Sequence, residues 1–339
     1  MSIQSLRGLA VVLMVAGHVI GATADRGMNV ADDSVWRYMY VGLEDIRMPL
    51  FTVLSGYVYA MRPVRSSADF PSLLRGKTRR LLIPLLTVGV LLFAMQLVVP
   101  GTNAAPELSE FWRVYVYGYD HLWFLQSIFL IFLVAAVLDI TGALDTRRGW
   151  AMCTGVSLVL FVAARLPADL NLFSINGALR LLPFFLIGYG MRRHDLLDLR
   201  GRAAAIAAIA FAAVYAIRVT VIVDAWNPDP FTRRAISLVV GLLGIVLIYS
   251  ARRYLTARSL AWIGGFSFGI YLFHVFGSAG TRIALNRLDI TTEVLVFGVC
   301  LVAGVMIPVV FQLIAGKWNP VRVALLGEKP IAKEPAAAK

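Results

Sequence analysis

Long apolar runs separated by short polar connections occupy most of the chain, and this pattern predicts a bundle of membrane-spanning helices. A helix that crosses a bilayer needs about 20 predominantly apolar residues. Ten runs approach that length, at roughly residues 5–24, 43–61, 81–99, 122–140, 150–165, 178–191, 203–223, 235–250, 259–278 and 294–315. No strand-rich region or internal repeat interrupts the series. We therefore predict an all-α, polytopic membrane bundle of about ten transmembrane helices.

The runs predict a single transmembrane domain over residues 1–318, followed by a tail over 319–339. The tail ends in GEKPIAKEPAAAK, which is polar and rich in proline and alanine, so we expect it to be disordered. The first run has the length of a signal peptide, and Ala22-Thr23-Ala24 resembles a cleavage site. Since the run has a single basic residue, Arg7, near its start and a histidine inside it, we predict a retained membrane helix.

Composition agrees with an integral membrane protein. The chain is 59% hydrophobic and 15% charged, whereas soluble domains are about 45–50% apolar and about 25% charged. Cys153 and Cys300 lie in apolar runs and offer neither a disulfide framework nor a metal-ligand spacing, so no metal is expected. The net charge of +12 is explained by topology and contact with anionic membrane lipids, and we predict no binding to nucleic acid.

The distribution of basic residues predicts the orientation. If the N-terminus is cytoplasmic, most of the 32 lysines and arginines fall on the inner side, as the positive-inside rule requires. The segment from residue 25 to residue 45 then lies outside, and it holds five acidic and two basic residues. Ten spans place both termini in the cytoplasm. We expect a multi-pass protein of the plasma (inner) membrane.

Two ionisable residues in the first run, Arg7 and His18, lie eleven positions apart. This spacing is three helical turns plus about 20°, so both side chains share one face, about 16 Å apart along the axis. Ionisable groups inside a membrane are costly and usually mark a pathway or a site. The structural alternatives are that Arg7 extends to lipid phosphates and that His18 hydrogen-bonds a neighbouring helix.

Three other runs carry polar or amphipathic residues at mid-span or near their predicted outer ends. They are Arg47 and Ser55 in the second run, His121 and Trp123 at the start of the fourth, and His274 in the ninth. Interfacial contacts and helix packing are the structural explanations. Three histidines in the outer half of three different helices instead predict proton chemistry there.

A basic cluster separates the second run from the third. Six basic residues face a single acidic one in the stretch RPVRSSADFPSLLRGKTRR, and four of them, Arg75, Lys77, Arg79 and Arg80, immediately precede the third run. A topology signal or a lipid-headgroup patch would explain them. The alternative is a site for a polyanionic cytosolic ligand such as a nucleotide, because guanidinium groups bind phosphate oxygens in pairs.

Six sequence blocks resemble the acyltransferase family 3 membrane proteins. They are the Arg-x10-His of the first run, MPLFTVLSGYVY, KTRRLLIPLL, HLWFL, LLPFFLIGYGMRR and FSFGIYLFH. The resemblance covers about residues 5–315 and keeps the family order. Arg47 is a departure, because some relatives have histidine before M-P-L-F.

The resemblance implies transfer of an acyl group, usually acetyl, from cytosolic acyl-CoA. The acceptor is usually a hydroxyl of a cell-envelope sugar or another glycosylated molecule. We expect catalytic roles for His18, Arg7, Ser55 and His121, with His18 as general base. We expect acyl-CoA to contact Arg7, Arg75, Lys77, Arg79 and Arg80, and the acceptor to contact Arg47, Trp123 and His274.

Several alternatives remain open at this point. The acyl group passes directly to the acceptor, or it passes transiently through His18 or Ser55. A polytopic transporter or flippase of a glycan or lipid precursor would also need ionisable groups within the membrane. In a membrane sensor or scaffold, the same residues would serve packing.

Overall fold

The computed structural model describes residues 2–331, which form α-helices joined by mostly short connections and contain no β-strand. The all-α prediction is therefore confirmed for this part of the chain. The helices are α1 (Ser2–Ile20), α2 (Val35–Tyr59), α3 (Phe70–Lys77), α4 (Ile83–Val98), α5 (Arg113–Val116), α6 (Trp123–Ile140), α7 (Arg147–Ala163), α8 (Ile175–Arg193), α9 (Gly201–Ile222), α10 (Pro230–Ser250), α11 (Arg258–Gly265), α12 (Ser267–Arg287), α13 (Glu293–Ala315) and α14 (Asn319–Ala324).

Polar side chains cap the starts of several apolar helices. Ser34, Thr146 and Asp229 accept hydrogen bonds from backbone N–H groups in the first turns of α2, α7 and α10. These N–H groups have no partner within the helix, so the caps define where each helix begins. A π-helical turn, Thr78–Leu82, joins α3 to α4, and a 3₁₀ turn, Asp120–Leu122, precedes α6.

Seven helical segments within residues 2–331 are long and apolar enough to cross a membrane. They are Ile3–Ile20, Ser67–Val98, Leu108–Ile140, Leu172–Arg193, Gly201–Ile222, Pro230–Arg253 and Glu293–Ala315. The pair α11 and α12 meets the same criteria together, with a bend of 84° between the two helices. Two of the ten predicted spans are not among these segments. The second corresponds to α2, which carries charged residues, and the fifth to α7, which has only 17 residues.

Glycines bring helix α2 close to α8. A Cβ atom added to Gly56 would lie 2.0 Å from the carbonyl oxygen of Phe185. On the partner helix, a Cβ atom on Gly188 would lie 1.9 Å from the carbonyl oxygen of Val53. Any side chain at either position would force the two backbones apart, so these small residues set the helix separation.

The charges of α2 are paired within the protein. The carboxylate of Asp45 is 2.8 Å from the guanidinium of Arg218 on α9 and 3.7 Å from that of Arg180 on α8. Ser237 on α10 also donates a hydrogen bond to Asp45. Asp45 and Arg218 are buried. Pairing offsets much of the cost of burying such charges, so this cluster connects α2 to three neighbouring helices.

Helix α1 occupies a central position, against α2, α11, α12 and α13. Gly8 packs on the carbonyl oxygen of Leu260, to which an added Cβ would come within 1.9 Å. Similarly, a Cβ atom added to Gly304 of α13 would lie 2.8 Å from Cγ1 of Val15. Both halves of α1 therefore pack closely on neighbouring helices. We call the end of the bundle where α1 begins the arginine end, and the other the histidine end.

The predicted polar tail begins at residue 319, but residues 319–331 fold back onto the arginine end. They include α14, and Leu326 is only 2% exposed. The carbonyl oxygen of Leu326 accepts a hydrogen bond from Arg80 at 2.8 Å. Apolar residues at 325 and 326 pack against the hydrophobic core and provide this contact. The rest of the predicted tail, 332–339, lies outside the described residues.

Candidate active site

Three histidines that are far apart in the sequence meet at the histidine end. The ring of His274 on α12 is 4.7 Å from the ring of His18 on α1 and 4.7 Å from that of His121, measured between centroids. The rings of His18 and His121 are 6.1 Å apart. All three pairs meet edge-on. The structure thus places three of the predicted site residues in one cluster, which we call the histidine cluster.

The hydrogen bonding of His18 determines which ring nitrogen is available for chemistry. Its Nδ1 lies 2.9 Å from the carbonyl oxygen of Met14, one helical turn earlier. Because a carbonyl only accepts hydrogen bonds, Nδ1 must carry a proton and donate it. In the neutral ring the lone pair is then on Nε2. This arrangement leaves Nε2 free to accept a proton from a bound hydroxyl group.

His274 and His121 form a buried support behind His18. His274 is completely buried, and its Nδ1 donates to the carbonyl oxygen of Tyr271 at 2.9 Å. The Nε2 of His274 is buried without a hydrogen-bond partner among the described residues. The Tyr271 hydroxyl in turn donates to the carbonyl oxygen of His121 at 2.6 Å. These contacts fix both rings relative to α12.

Asp120 holds His121 from the side opposite to α12. Its carboxylate accepts a hydrogen bond from the backbone N–H of His121 at 2.7 Å and lies 3.4 Å from Nδ1. Nε2 of His121 is 3.3 Å from the carbonyl oxygen of Leu272. Asp120 has φ of +45°, a strained conformation that aspartate adopts more readily than most residues. An acidic group therefore terminates the histidine cluster.

A cavity of about 480 Å³ opens beside the cluster at the histidine end. His18 and Asp120 line it, whereas His121 and His274 lie behind this wall. Other lining residues include Arg26, Tyr40, Gln96, Tyr119, Trp123, Ser278, Arg282 and Cys300. The cavity has both polar and aromatic walls, a composition suited to a ligand with hydroxyl groups.

Glycines shape the loop that closes one side of this cavity. Gly21 and Gly27 have φ of +89° and +57°, in the left-handed region that glycine adopts without steric cost. The N–H of Met28 then reaches back to the carbonyl oxygen of Val19 at 2.8 Å. The loop after α1 therefore folds over the end of its own helix and covers the approach to His18.

Arg47 lies next to His18 and has an unpaired donor. It is buried, and its Nη1 has no hydrogen-bond partner within residues 2–331. A Cβ atom on Gly17 would lie 1.8 Å from that nitrogen, so the guanidinium packs directly on the backbone that precedes His18. The guanidinium carbon is 3.9 Å from the centre of the Tyr40 ring. A buried cation with an unpaired donor thus lies beside His18.

The arginine end holds a second group of predicted residues. Nη2 of Arg7 donates to the hydroxyl of Ser267 at 2.9 Å, where α12 begins after its bend. The guanidinium of Arg80 lies 4.1 Å from the centre of the ring of Phe268. Because Ser267 and Phe268 are consecutive residues, these two contacts bring Arg7 and Arg80 together. Along α1, this group lies about 16 Å from His18.

The neighbouring basic residues differ in their surroundings. Nζ of Lys77 is 3.3 Å from the centre of the Phe132 ring, and Nε of Arg79 donates to the carbonyl oxygen of Gly327 at 3.4 Å. Arg75 is exposed. Arg79 and Arg80 belong to the π-helical turn, a feature frequently found at functional sites. We call Arg7, Lys77, Arg79 and Arg80 the basic cluster.

The carboxylate of Glu328, from the folded-back C-terminal segment, lies against the basic cluster. Its Oε1 is 3.4 Å from Nη1 of Arg80, and its Oε2 is 2.9 Å from Nη2 of Arg322. An anionic group therefore already occupies part of the basic cluster.

The two remaining predicted residues, Trp123 and Ser55, lie in different parts of the protein. Trp123 lines the cavity, close to His121 in the chain. Ser55 donates to the carbonyl oxygen of Phe51 at 3.0 Å, and it lies two helical turns, about 12 Å, from Arg47 along α2. The structure does not bring Ser55 into the histidine cluster.

Sequence reasoning missed three residues of this site: Asp120, Tyr271 and Arg282. The position of Asp120 directly before His121 was the available signal. Tyr271 and Arg282 gave none, because their roles depend on how α12 packs. Among residues 2–331, no group of three or more histidine, cysteine, aspartate or glutamate side chains is arranged to hold a metal ion.

Comparison with known proteins yields one match. A family model described as an acyltransferase domain, that of acyltransferase family 3, matches residues 2–313, which is nearly the whole chain. No curated protein and no solved structure matches.

Proposed function

The chain belongs to acyltransferase family 3, and we propose that it transfers an acetyl group from cytosolic acetyl-CoA to a hydroxyl of a cell-envelope sugar. Family membership supports an integral membrane acyltransferase. The observation that carries the finer proposal is the arrangement along α1. A basic cluster at one end and a cavity with a poised histidine at the other share one helix, about 16 Å apart.

The proposed topology has ten crossings, with both termini at the inner side of the plasma membrane. α2 is included because its Asp45 is paired with Arg218 inside the protein, so its charge does not face lipid. α7 is included because it follows α6 and packs on α8. The arginine end then faces the cytoplasm, and the histidine end faces outward.

The donor binds in two parts. The basic cluster, together with the exposed Arg75, holds the phosphate groups of acetyl-CoA, since guanidinium groups bind phosphate oxygens in pairs. The thin pantetheine arm extends from Arg7 along the face of α1 that leads to His18. Phosphate binding and proton transfer thus take place at opposite ends of one helix.

His18 acts as the general base. Its Nε2 takes the proton of the acceptor hydroxyl, and the hydroxyl oxygen attacks the carbonyl carbon of the thioester. A carbon–oxygen bond forms, the carbon–sulfur bond breaks, and His18 returns the proton to the leaving thiolate of CoA. General-base assistance of this kind contributes about 10²–10⁴-fold to the rate.

The neighbouring groups position and assist. The buried positive charge of Arg47, beside His18, stabilises the negative charge that develops on the thioester oxygen. His274 and the Asp120–His121 pair hold the His18 ring from behind, and they serve as positioning residues. The acceptor occupies the cavity, where Trp123 offers an aromatic surface to a sugar ring.

Purified protein in detergent, supplied with radiolabelled acetyl-CoA and envelope glycans, tests the proposal. We expect label on the glycan and release of free CoA. A transporter has no reason to consume the thioester, so an intact acetyl-CoA pool would favour that alternative. A labelled protein that accumulates without acceptor would indicate transfer through a covalent intermediate instead of direct attack.

A further inference from the structure

Arg282 is a buried cation in the wall of the outer cavity. It belongs to α12, is 7% exposed, and lines the same cavity as His18. Its guanidinium donates to the carbonyl oxygen of Gly101 at 2.9 Å and to the side-chain oxygen of Asn29 at 3.3 Å. Both partners are neutral. None of the ion pairs among the residues that the structure describes involves Arg282.

A buried charge of this kind is costly unless it is paired. Two other buried arginines have acidic partners, since Arg218 pairs with Asp45 and Arg37 with Asp32. Arg47, beside His18, is buried without one but does not line the cavity. The acidic residue of the cavity wall, Asp120, is already bound by His121. The cavity therefore leaves the positive charge of Arg282 without a counter-charge from the protein.

The position of Arg282 relates it to the proposed reaction. It is eight residues after His274 on α12, which corresponds to about two turns and about 12 Å along the axis. Ser278 lies one turn before it, also lines the cavity, and donates to the carbonyl oxygen of His274 at 2.9 Å. A ligand in the cavity can thus contact His18 with one group and Arg282 with another.

We propose that Arg282 binds an anionic group of the acceptor, a carboxylate or a phosphate, at some distance from the hydroxyl that is acylated. The acceptor class is then an acidic glycan and not a neutral one. This inference rests on the proposed function for the identity of the ligand. The existence of an anion subsite can be tested without any acyl transfer.

Cys300 provides the reporter for that test. It lies on α13, lines the same cavity, and carries a free thiol. The chain has two cysteines, so Cys153→Ser leaves Cys300 as the single thiol. Methanethiosulfonate reagents transfer a charged thiol fragment to a cysteine, forming a mixed disulfide and releasing methanesulfinate. One reagent carries an anionic sulfonate, and another carries a cationic trimethylammonium group.

The measurement is the ratio of the two labelling rates at Cys300, divided by the same ratio for free 2-mercaptoethanol. We expect the anionic reagent to be favoured by roughly tenfold or more, because a positive charge in a cavity concentrates anions. Arg282→Gln should abolish this preference, and Arg282→Lys should retain it. Arg287→Gln, an exposed position on the same helix, is the matched control and should leave the ratio unchanged.

Two outcomes would overturn the anion subsite: equal normalised rates in the parent protein, or a preference that survives Arg282→Gln. Cys300 is only 1% exposed, so if neither reagent labels it, the comparison of acidic and neutral acceptors below decides the subsite. An anionic lipid headgroup is the alternative ligand for Arg282. If nanodiscs of phosphatidylglycerol suppress anionic labelling relative to phosphatidylcholine nanodiscs, the site binds lipid, and the acceptor assignment is wrong.

Acceptor choice is tested with methyl β-D-glucuronide and methyl β-D-glucoside. We expect faster acetylation of the acidic sugar, and Arg282→Gln should reduce that preference at least tenfold. Equal rates for both sugars would refute the inference while leaving the acyltransferase proposal intact. Failure to acetylate either sugar or envelope glycans would count against the proposed function, and the labelling ratio would still decide the anion subsite.

Discussion

The carboxylate of Glu328 should compete with the donor for the basic cluster. It lies 3.4 Å from Nη1 of Arg80, where the proposal places a phosphate group of acetyl-CoA. Two anions cannot share this guanidinium without repulsion, so binding of the donor must displace Glu328. Glu328→Gln keeps the size of the side chain and removes its charge. We therefore predict that this substitution strengthens binding of CoA.

The size of the effect follows from the exposure of the ion pair. The side chains of Arg80 and Glu328 are 37% and 31% exposed, so solvent screens much of their attraction. Ion pairs of this kind contribute about 0.2–1 kcal/mol. With RT near 0.6 kcal/mol, the dissociation constant for CoA should fall by about 1.4- to 5-fold. The gain should shrink at high salt, because exposed charges are screened.

Isothermal titration of CoA into purified protein at low and high salt measures this constant. Glu107→Gln is the matched control, since Glu107 is exposed and lies in the connection between α4 and α5. An unchanged or weaker affinity in Glu328→Gln would refute the competition between carboxylate and donor. A gain that equals that of Glu107→Gln would reduce it to a general effect of net charge.

Three further predictions concern the two ends of the bundle and its core. Arg79→Ala or Arg80→Ala should weaken CoA binding by about 10- to 100-fold, as expected for loss of a charged hydrogen bond. Acceptor binding should not weaken. If the affinity for CoA is unchanged in both variants, the basic cluster is only a topology signal. Arg47→Gln should lower kcat by about 10²-fold, and steady-state kinetics with an unaltered kcat would remove it from the mechanism. Asp45→Asn should destabilise the protein by about 3–5 kcal/mol by leaving Arg218 unpaired, and an unchanged unfolding curve would contradict that.

Properties of a single helix were predictable from the sequence. The eleven-residue spacing of Arg7 and His18 requires only the geometry of an α-helix, and the structure has both on α1. The apolar runs likewise anticipated where most helices lie. These are local consequences of chain periodicity, so they do not depend on which helices become neighbours.

Contacts between helices were not predictable in the same way. His121 and His274 lie 153 residues apart, and their meeting with His18 depends on the order and rotation of α1, α6 and α12. The same holds for Asp45 and Arg218, whose pairing makes a charged helix compatible with burial. The bend at Phe266 was also not predictable, because a run of apolar residues does not show where a helix breaks.

The central claim is that His18 is the general base, and turnover by His18→Ala tests it most directly. The matched control is His194→Ala. His194 follows α8 outside the spanning segments, and burial lowers the pKa of its imidazole, so its removal also deletes a largely neutral ring. We predict that His18→Ala lowers kcat by about 10²–10⁴-fold, with unchanged CoA affinity and unfolding temperature, whereas His194→Ala retains its activity. A His18→Ala protein that folds and turns over within a fewfold of the parent would contradict the account.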